Sequence, residues 1–594
     1  MPKKLRRVGW LAALAVATLL EISCGEVYRP VVIPVNSVPP NPANFHAVFG
    51  VAANVPFNPG SALQIDVSGD TNIGAANMGV NPTHAAILPN NSRVFVASAG
   101  SLYSGDADVV TAFAPAFDSS TATGLGPPVI FTYPNIGATQ SSAISAISEA
   151  GNVVTITLST ALTNAVLGAV IAVSGVDVAG YNGTFQITSV SGTTVQYVDS
   201  VTGLGAGTGG AAALSTYCSY LPDYVTTTQA SAVFVANYGA ENGSNCDRAS
   251  TDSVSSLNIV TNVMSNIAYL DAGSHPVAMA ETADTQHLYV LNQGTNIVTD
   301  LSPLDLSTRA TIPVGLMPAW AVARPDSLRV YVVTQGDGQL YTIPTDSNTT
   351  LTPQAVGGAG ANFVLHDPSK NRLYVTNPTA GTVFVFDAST DPPTPIGNPA
   401  GIAIAAPPIP STTPCTGGTC SYSTVSPVAV TALPDGSRFY VTSYVTASPG
   451  SPCPDPNVTA AGCVIPQVTV FDAGSLAVKT TVFPLLAAIS APVGNVQPFA
   501  IAPVAFCAPV IPYKPASARF RMFAASATDS SRVYASMCDA GAIAIITTTT
   551  SSLATGGNTP DTLMTALPAP FSAGPAQSNN QPLPQNPVFL LRGQ

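Results

Sequence analysis

Short apolar runs alternate with polar turns along most of this chain, and the alternation repeats at a regular spacing. The clearest run is an aromatic residue with valine beside it, and it recurs thirteen residues after a fixed position. That position is proline in four copies and alanine in a fifth. The pairs are Pro82 and Phe95, Pro276 and Tyr289, Pro318 and Tyr331, Ala361 and Tyr374, and Pro427 and Tyr440. A constant spacing of this kind predicts one supersecondary unit copied along the chain.

One copy, residues 274–315, shows the predicted unit. It contains four strand-like runs, PVAMAE, HLYVLN, NIVTDLS and RATIPVG, separated by polar turns. Tyr289, Tyr331 and Tyr374 lie 42 and then 43 residues apart. Four strands in roughly 40–45 residues is the period of a propeller blade. The pattern therefore predicts an all-β protein, a β-propeller of four-stranded blades.

The blades resemble the YVTN family of β-propeller repeats found in bacterial and archaeal surface proteins. The matching runs are NRLYVTN (371–377) with TVFVFDAST (382–390), and LPDGSRFYVTS (433–443) with VTVFDAGS (468–475). The resemblance covers most of residues 45–555 and implies an extracytoplasmic protein. It implies no ligand, because propellers carry many unrelated activities.

Seven aromatic anchors are recognisable, and they favour seven blades. They are Phe95, Phe234, Tyr289, Tyr331, Tyr374, Tyr440 and Tyr534. A partial copy at 46–71 precedes them. We expect it to share a blade with C-terminal strands and so close the ring; an eighth blade is the alternative. Closure would leave no open sheet edge.

The anchor spacing also locates an insertion, because Phe95 and Phe234 are 139 residues apart with no anchor between them. Residues 140–214 instead resemble the small β modules inserted in phage tail and other surface proteins. Such a module favours adhesion, and a decorative insertion is the alternative. The predicted organisation is a signal peptide (1–23), a Pro-rich tether (24–44), propeller (45–139), the inserted β domain (140–214), propeller (215–555) and a Pro-rich, polar C-terminal segment (556–594) that could add a closing strand.

Composition agrees with many short strands in an acidic protein. Charged residues are 8% of the 594, and there are 53 prolines and 48 glycines. Turn-forming residues must therefore solvate much of the surface. The net charge of −12 argues against a nucleic-acid partner, because no basic patch is present to displace counterions from phosphates.

The N-terminus is predicted to be an export signal. Four basic residues precede the 13-residue apolar stretch Val8–Leu20, which is too short for an ordinary membrane span. The following LLEISCG resembles the bacterial lipobox, although Glu21 stands where that motif prefers an aliphatic residue. We expect lipidation of Cys24 and a lipid-anchored location in the cell envelope, periplasmic or at the surface. Ordinary cleavage and an uncleaved anchor are the alternatives.

Cysteine number fits an oxidising compartment. If Cys24 carries lipid, eight of the nine cysteines remain. Their spacing suggests four disulfides, with fewer bonds and some free thiols as the alternative. The expected pairs are Cys218–Cys246, Cys415–Cys420, Cys453–Cys463 and Cys507–Cys538.

Strand order assigns these cysteines to one side of the ring. With the strands of a blade named a to d, the b–c and d–a connections leave on one face and the a–b and c–d turns on the other. We call the first the loop face; it carries the b–c segments 97–108, 238–254 and 444–466, and the d–a segments 140–214, 406–425 and 503–518. The second is the turn face. All eight cysteines fall on the loop face, which predicts a recognition surface. Protection from proteolysis is the alternative.

A third set of positions follows each proline, or its replacement, by two residues. It contains His84, Trp320 and Phe363, with Ala278 and Ala429 at the other copies. If these side chains surround the mouth of the central channel, they could stack on a sugar or clamp a peptide. Packing between blades is the alternative.

No enzyme motif accompanies these features. Asp66, Asp387 and Asp472 recur at the ends of third strands, which predicts bonds to turn amides. Asp106 with Asp108, and Asp247 with Asp252, lack a calcium-loop spacing. We therefore expect no metal or cofactor.

The sequence thus favours a non-catalytic module that binds an envelope protein or glycan through the loop face, contacts the membrane only through its lipid, and binds no nucleic acid. One alternative is a lactonase-like or hydrolase-like enzyme acting in the central channel. The other is a passive surface or scaffold component.

Overall fold

The structure is a computed structural model that describes residues 46–593 apart from several short segments. The segments left out are 55–57, 101–107, 116–124, 134–138, 164, 166–168, 216–217, 230–231, 241–247, 408–421, 452, 454–461, 485–503, 509–519, 551–558 and 577–581. The predicted signal peptide and tether, together with Cys24, Asp106, Cys246, Asp247, Cys415 and Cys420, lie outside the described residues.

Eight antiparallel four-stranded sheets make up most of the chain. Blade 1 contains β1 (Ala47–Asn54), β2 (Asn58–Asp66), β3 (Thr71–Val80) and the last strand, β41 (Asn586–Arg592). Blade 2 contains β4 (Pro82–Ile87), β5 (Val94–Ser98), β6 (Val109–Phe113) and β7 (Val129–Thr132). Blade 3 contains β14 (Pro222–Thr226), β15 (Ala232–Asn237), β16 (Ser253–Asn258) and β17 (Val263–Tyr269). Blade 4 contains β18 (Pro276–Glu281), β19 (Leu288–Asn292), β20 (Ile297–Leu301) and β21 (Thr308–Pro313).

The second half of the ring follows the same plan. Blade 5 contains β22 (Pro318–Ala323), β23 (Arg329–Thr334), β24 (Gln339–Pro344) and β25 (Gln354–Ala355). Blade 6 contains β26 (Phe363–Asp367), β27 (Arg372–Asn377), β28 (Thr382–Asp387) and β29 (Thr394–Pro395), with β30 (Ile402–Ala403) also paired to β28. Blade 7 contains β31 (Ser426–Ala432), β32 (Arg438–Ala447), β33 (Cys463–Asp472) and β34 (Val478–Val482). Blade 8 contains β35 (Met522–Ser526), β36 (Arg532–Met537), β37 (Ala542–Thr547) and β38 (Thr562–Pro568).

The innermost strands form a closed ring. Each contacts the next in the order β41, β4, β14, β18, β22, β26, β31, β35, and β35 in turn contacts β41. The predicted all-β propeller is therefore confirmed. The favoured number of seven blades is wrong, and the alternative of eight is correct.

Blade 1 escaped the anchor count because its sequence pattern is altered at one position. Phe49 of β1 pairs with Gln64, two residues before Asp66, just as Tyr374 pairs with Val385, two residues before Asp387. Phe49 is thus the eighth anchor, but glycine follows it where most other copies have valine. A Cβ atom at Gly50 would lie 2.8 Å from Cδ1 of Ile543 in blade 8, so a larger residue there would require the Ile543 side chain to move.

The two ends of the described chain close the ring together. Strand β41 pairs antiparallel with β1, and Val48 lies opposite Arg592. The backbone N–H of Gly593 donates to the carbonyl of Ala47 at 2.9 Å. Blade 1 therefore takes its innermost strand from the C-terminal segment, which removes the free edge that three strands alone would leave.

A separate six-stranded closed barrel lies between blades 2 and 3 in the chain. Its strands are β8 (Thr139–Ala150), β9 (Val153–Leu158), β10 (Val170–Ser174), β11 (Gly183–Ser191), β12 (Thr194–Val198) and β13 (Ala211–Ser215), with a 3-10 turn at Ala179–Tyr181. It has its own core, which includes Ile156, Tyr181 and Tyr197. Outside the barrel, β39 (Phe571–Ala576) and β40 (Pro582–Pro584) form a hairpin, and Ala505–Cys507 form a second 3-10 turn.

Arginines on the turn face join neighbouring blades. Five copies of the anchor motif have arginine two residues before the aromatic residue, and each side chain reaches the c–d turn of the next blade. The contacts are Arg93 to Asn262, Arg329 to Asp391, Arg372 to the Ala473 carbonyl, Arg438 to Asp561, and Arg532 to Asp70. The last of these contacts joins blade 8 to blade 1.

Candidate functional site

The described cysteines lie at the loop-face ends of their strands. Cys453 and Cys463 form a disulfide across the b–c segment of blade 7, with Cα atoms 6.0 Å apart. Cys507, in the connection between blades 7 and 8, is bonded to Cys538 at the end of β36, with a Cα separation of 5.8 Å. Both bonds are as predicted. Cys218 is also disulfide-bonded, just before β14. Disulfides persist in oxidising compartments, which agrees with an extracytoplasmic location.

A buried carboxylate holds the chain where it returns from the barrel. Asp108, at the start of β6, is fully buried and accepts hydrogen bonds from the Ser219 hydroxyl at 2.8 Å and the Leu221 N–H at 3.2 Å. It also accepts from the Tyr220 N–H. Desolvation outweighs these bonds and raises the pKa of Asp108 to about 7. Its oxygens therefore serve the link between blades 2 and 3.

The three residues predicted at the channel mouth come together in the centre of the ring. Trp320, from blade 5, lies 5.6 Å from His84 of blade 2 and 5.1 Å from Phe363 of blade 6, measured between ring centroids. Blades 2 and 5 are not neighbours, so these rings meet across the channel. The three side chains are only 4–6% exposed. They fill the channel at this level.

Four further rings, which the sequence analysis missed, complete this aromatic cluster. They are Tyr224, Phe520, Phe523 and Phe589, all no more than 7% exposed. Tyr224 stacks on His84 at 3.8 Å, and Phe589 lies 4.3 Å from His84 and 4.4 Å from Phe523. We call these four rings, with His84, Trp320 and Phe363, the aromatic plug.

Three of the missed rings obey the same rule as the predicted ones. Tyr224 follows Pro222 by two residues, and Phe589 follows Pro587 by two. The turn after β14 is one residue shorter than elsewhere, so Pro222 stands twelve residues before Phe234 and escaped a search at thirteen. Phe523 follows Arg521, which replaces the proline thirteen residues before Tyr534. Phe589 lies in β41, which is far in sequence from the other three strands of its blade.

On the turn-face side of the plug, the channel widens into a cavity of about 590 Å³. Its lining comes from the innermost strands of blades 6, 7, 8 and 1, and we call it the funnel. Phe363, Phe523 and Phe589 form the floor, and the walls include Leu365, Thr431, Ala525 and Leu591. The rim carries Asp367, Ser369, Pro434 and Arg592. The funnel therefore opens on the face opposite the disulfides.

The titratable groups of the funnel have different surroundings. Asp367 accepts hydrogen bonds from Ser369, from its N–H at 2.9 Å and its hydroxyl at 2.6 Å. Nε2 of His366 lies 3.1 Å from the Asn371 amide oxygen, and burial lowers the pKa of this imidazole. Arg592 is exposed into the funnel, yet desolvation by the surrounding protein lowers the pKa of its guanidinium.

The repeated aspartates have the structural role predicted for them. Asp387 accepts from the Ser389 N–H at 2.9 Å, and Asp472 accepts from the Ser475 N–H at 2.8 Å. These bonds, together with those from the serine hydroxyls, lower the pKa of both carboxyls. Asp66 bonds the Gly69 N–H in the same way at 3.0 Å. The repeated aspartates thus order the c–d turns.

Two negative findings apply to the described residues. They contain no group of three or more His, Cys, Asp or Glu side chains placed to hold a metal ion. They also form no helix with the length and apolarity that crossing a bilayer requires.

Comparison with known proteins assigns this chain to no family. No family profile matches it, and no curated protein sequence does. Solved structures match at low identity. The hydrazine synthase of Kuenenia stuttgartiensis is 17% identical, with 58% of this chain and 86% of that chain covered and a TM-score of 0.39. The periplasmic gluconolactonase of Pseudomonas aeruginosa is 12% identical, with 73% and 94% covered and a TM-score of 0.42. A Bacteroides fragilis protein provisionally named a 6-phosphogluconolactonase is 11% identical, with 93% and 98% covered and a TM-score of 0.39.

Proposed function

We propose that this protein is an exported, lipid-anchored module that binds a protein or glycan of the cell envelope through its loop face, without catalysis. The observation that carries the proposal is the placement of the disulfides Cys453–Cys463 and Cys507–Cys538, which both constrain loop-face segments. Constraining a loop before binding reduces the conformational entropy that it loses on binding.

The attachment of the barrel supports the same surface. Asp108 clamps residues 219–221, close to where the chain leaves the barrel. Thr251 adds a hydrogen bond to the Ser219 carbonyl. This buried, multiply bonded junction fixes the ring's side of the connection to the barrel, which suits an element that presents a surface.

Cross-linked co-purification from native envelope tests this function. The intact protein is compared with a chain lacking residues 140–214, and the captured partners of each are identified by mass spectrometry. Ser215 pairs with Thr139 in the barrel, so the ends of the insertion are adjacent and a short Gly-Ser joint can replace it. Leu304→Ser is the matched control, because Leu304 is 93% exposed in a turn-face loop of blade 4.

We expect specific partners with the intact chain and with Leu304→Ser. Loss of a partner on deletion would assign its site to the barrel, and retention would assign it to the disulfide-bearing loops. No enrichment above background would refute protein binding, and an array of envelope glycans then decides whether the recognition proposal survives. Palmitate labelling of wild type and Cys24→Ala tests the anchor separately.

A further inference from the structure

The funnel has the size and lining of a small-molecule site, and the loop-face proposal does not use it. Its volume of about 590 Å³ lies within the roughly 300–1,000 Å³ typical of ligand pockets. Aromatic rings close its inner end, and aliphatic side chains such as Leu365 and Leu591 line its wall. Such a surface gains free energy by covering an apolar group.

Arg592 supplies the one strongly polar feature that points to a particular ligand. In the described part of the chain, no carboxylate lies within ion-pair distance of it, and its Nη1 donates a long hydrogen bond of 3.5 Å to the Ser526 hydroxyl. The turn-face arginines Arg438 and Arg532, by contrast, bond to Asp561 and Asp70.

The protein around Arg592 partly desolvates its charge. Desolvation is the cause of its lowered pKa, with no compensating attraction from a carboxylate. Asp367, on the same rim, uses one oxygen to accept from Ser369 in its own turn. An anion in the funnel would therefore give Arg592 the interaction that Arg438 and Arg532 already have.

We propose that the funnel binds a single-chain amphiphile with a carboxylate head. The apolar chain lies on the floor of Phe363, Phe523 and Phe589, and the carboxylate accepts hydrogen bonds from Arg592. A polyphosphate fits less well, because such ligands require several cationic or backbone donors and the lining holds one arginine.

The entry of the chain into blade 1 gives this site a relation to the membrane. Strand β1 starts at the turn face, where His46 lies 3.6 Å from Asp529 and Val48 pairs with Arg592. This step rests on the anchor proposed at Cys24: the tether would join the propeller beside the funnel mouth and hold it toward the bilayer. Membrane-derived amphiphiles are then the nearest source of ligand.

Isothermal titration calorimetry of the purified full chain with dodecanoate, below its micellar concentration, tests the site. Dodecyltrimethylammonium, with the same chain and the opposite charge, controls for the head group. We expect one dodecanoate per chain and much weaker binding of the cation. Arg592→Gln should weaken dodecanoate binding about tenfold, the usual effect of losing a hydrogen bond to a charged group. Arg309→Gln, which removes an exposed cation from blade 4, should not change it.

Ala525→Phe, which fills the funnel, should abolish binding. If this variant does not fold, as judged by circular dichroism, Ala525→Leu replaces it and should weaken binding. The proposal is overturned if dodecanoate does not bind, if the cationic amphiphile binds equally well, if Arg592→Gln behaves like Arg309→Gln, or if a folded filling variant binds normally. None of these results touches the loop-face proposal, whose partner capture should be unchanged by Arg592→Gln.

Discussion

At the scale of single residues, the same repeat position holds side chains of different size in different blades. The residue two after each proline builds the plug, yet Ala278 and Ala429 stand there in blades 4 and 7. Seven rings meet in a channel of fixed width, and small residues at these two copies leave room for the others, above all Trp320. No single copy of the motif predicts which residue fits, because that depends on the side chains facing it across the ring.

Asp108 should make stability depend on pH. Its pKa rises from 3.8 to about 7 on folding, so the folded state holds a proton that the unfolded state releases between those values. Its stabilising contribution is therefore fully present below about pH 4 and is lost as the pH rises toward about 7. Relative to Asp108→Asn, wild type should lose up to about 4 kcal/mol of unfolding free energy over this range, at about 1.4 kcal/mol per pKa unit.

Urea denaturation of both proteins at a series of pH values measures this difference. Both proteins contain the other carboxyls, so the contributions of those groups to the pH dependence cancel in the comparison. Several of them have lowered pKa values and titrate at more acidic pH. A constant difference between the two proteins from pH 4 to pH 8 would show that Asp108 is ionised in the folded state throughout.

At the scale of elements, the four-stranded unit was predictable in detail. The runs PVAMAE, HLYVLN, NIVTDLS and RATIPVG correspond to β18, β19, β20 and β21. Alternating side chains and polar turns are local properties, so one copy suffices to recognise them. The loops between the strands were predictable only in their face, because their conformation depends on contacts that no repeat encodes.

The two described disulfides should contribute unequally to stability. Cys507–Cys538 closes a separation of 31 residues and Cys453–Cys463 closes one of 10. Loop-closure entropy predicts about 4 kcal/mol for the longer loop and about 3 kcal/mol for the shorter. The double variant Cys507→Ser with Cys538→Ser should therefore lose more unfolding free energy than Cys453→Ser with Cys463→Ser, as measured by thermal denaturation.

The paired serine variants also separate stability from recognition. If the loops carry the binding surface, replacing Cys453 and Cys463 should weaken partner capture even where the protein stays folded. A greater destabilisation from the shorter loop would indicate that local contacts, and not chain entropy, determine these contributions.

At the scale of the whole molecule, ring closure depends on contacts between residues far apart in sequence. Strand β41 completes blade 1, and Arg532 of blade 8 bonds both oxygens of Asp70 at 3.0 and 3.1 Å. Both side chains are less than a fifth exposed. The ring therefore closes through main-chain pairing within blade 1 and through an ion pair between blades 8 and 1.

Arg532→Ala should lower the free energy of unfolding by about 2–3 kcal/mol, because it leaves Asp70 partly buried without its cation. Arg309→Ala, which removes an exposed side chain bonded to Gln286 in its own blade, should cost less than about 0.5 kcal/mol. Guanidinium denaturation measures both. A double-mutant cycle with Asp70→Ala should show positive coupling, and independent effects of the two substitutions would contradict the closure role.

The sequence by itself determined the strand period, the aromatic anchors and the face on which the described cysteines lie. These follow from side-chain alternation and from the order of strands within a blade, which are properties of neighbouring residues. Only the tertiary structure decided that there are eight blades, that seven rings plug the channel, and that Arg592 faces an apolar funnel. The physical reason is distance along the chain: Phe49 and Phe589 come to lie in one blade only when the ring closes, and ring closure is a property of the whole molecule.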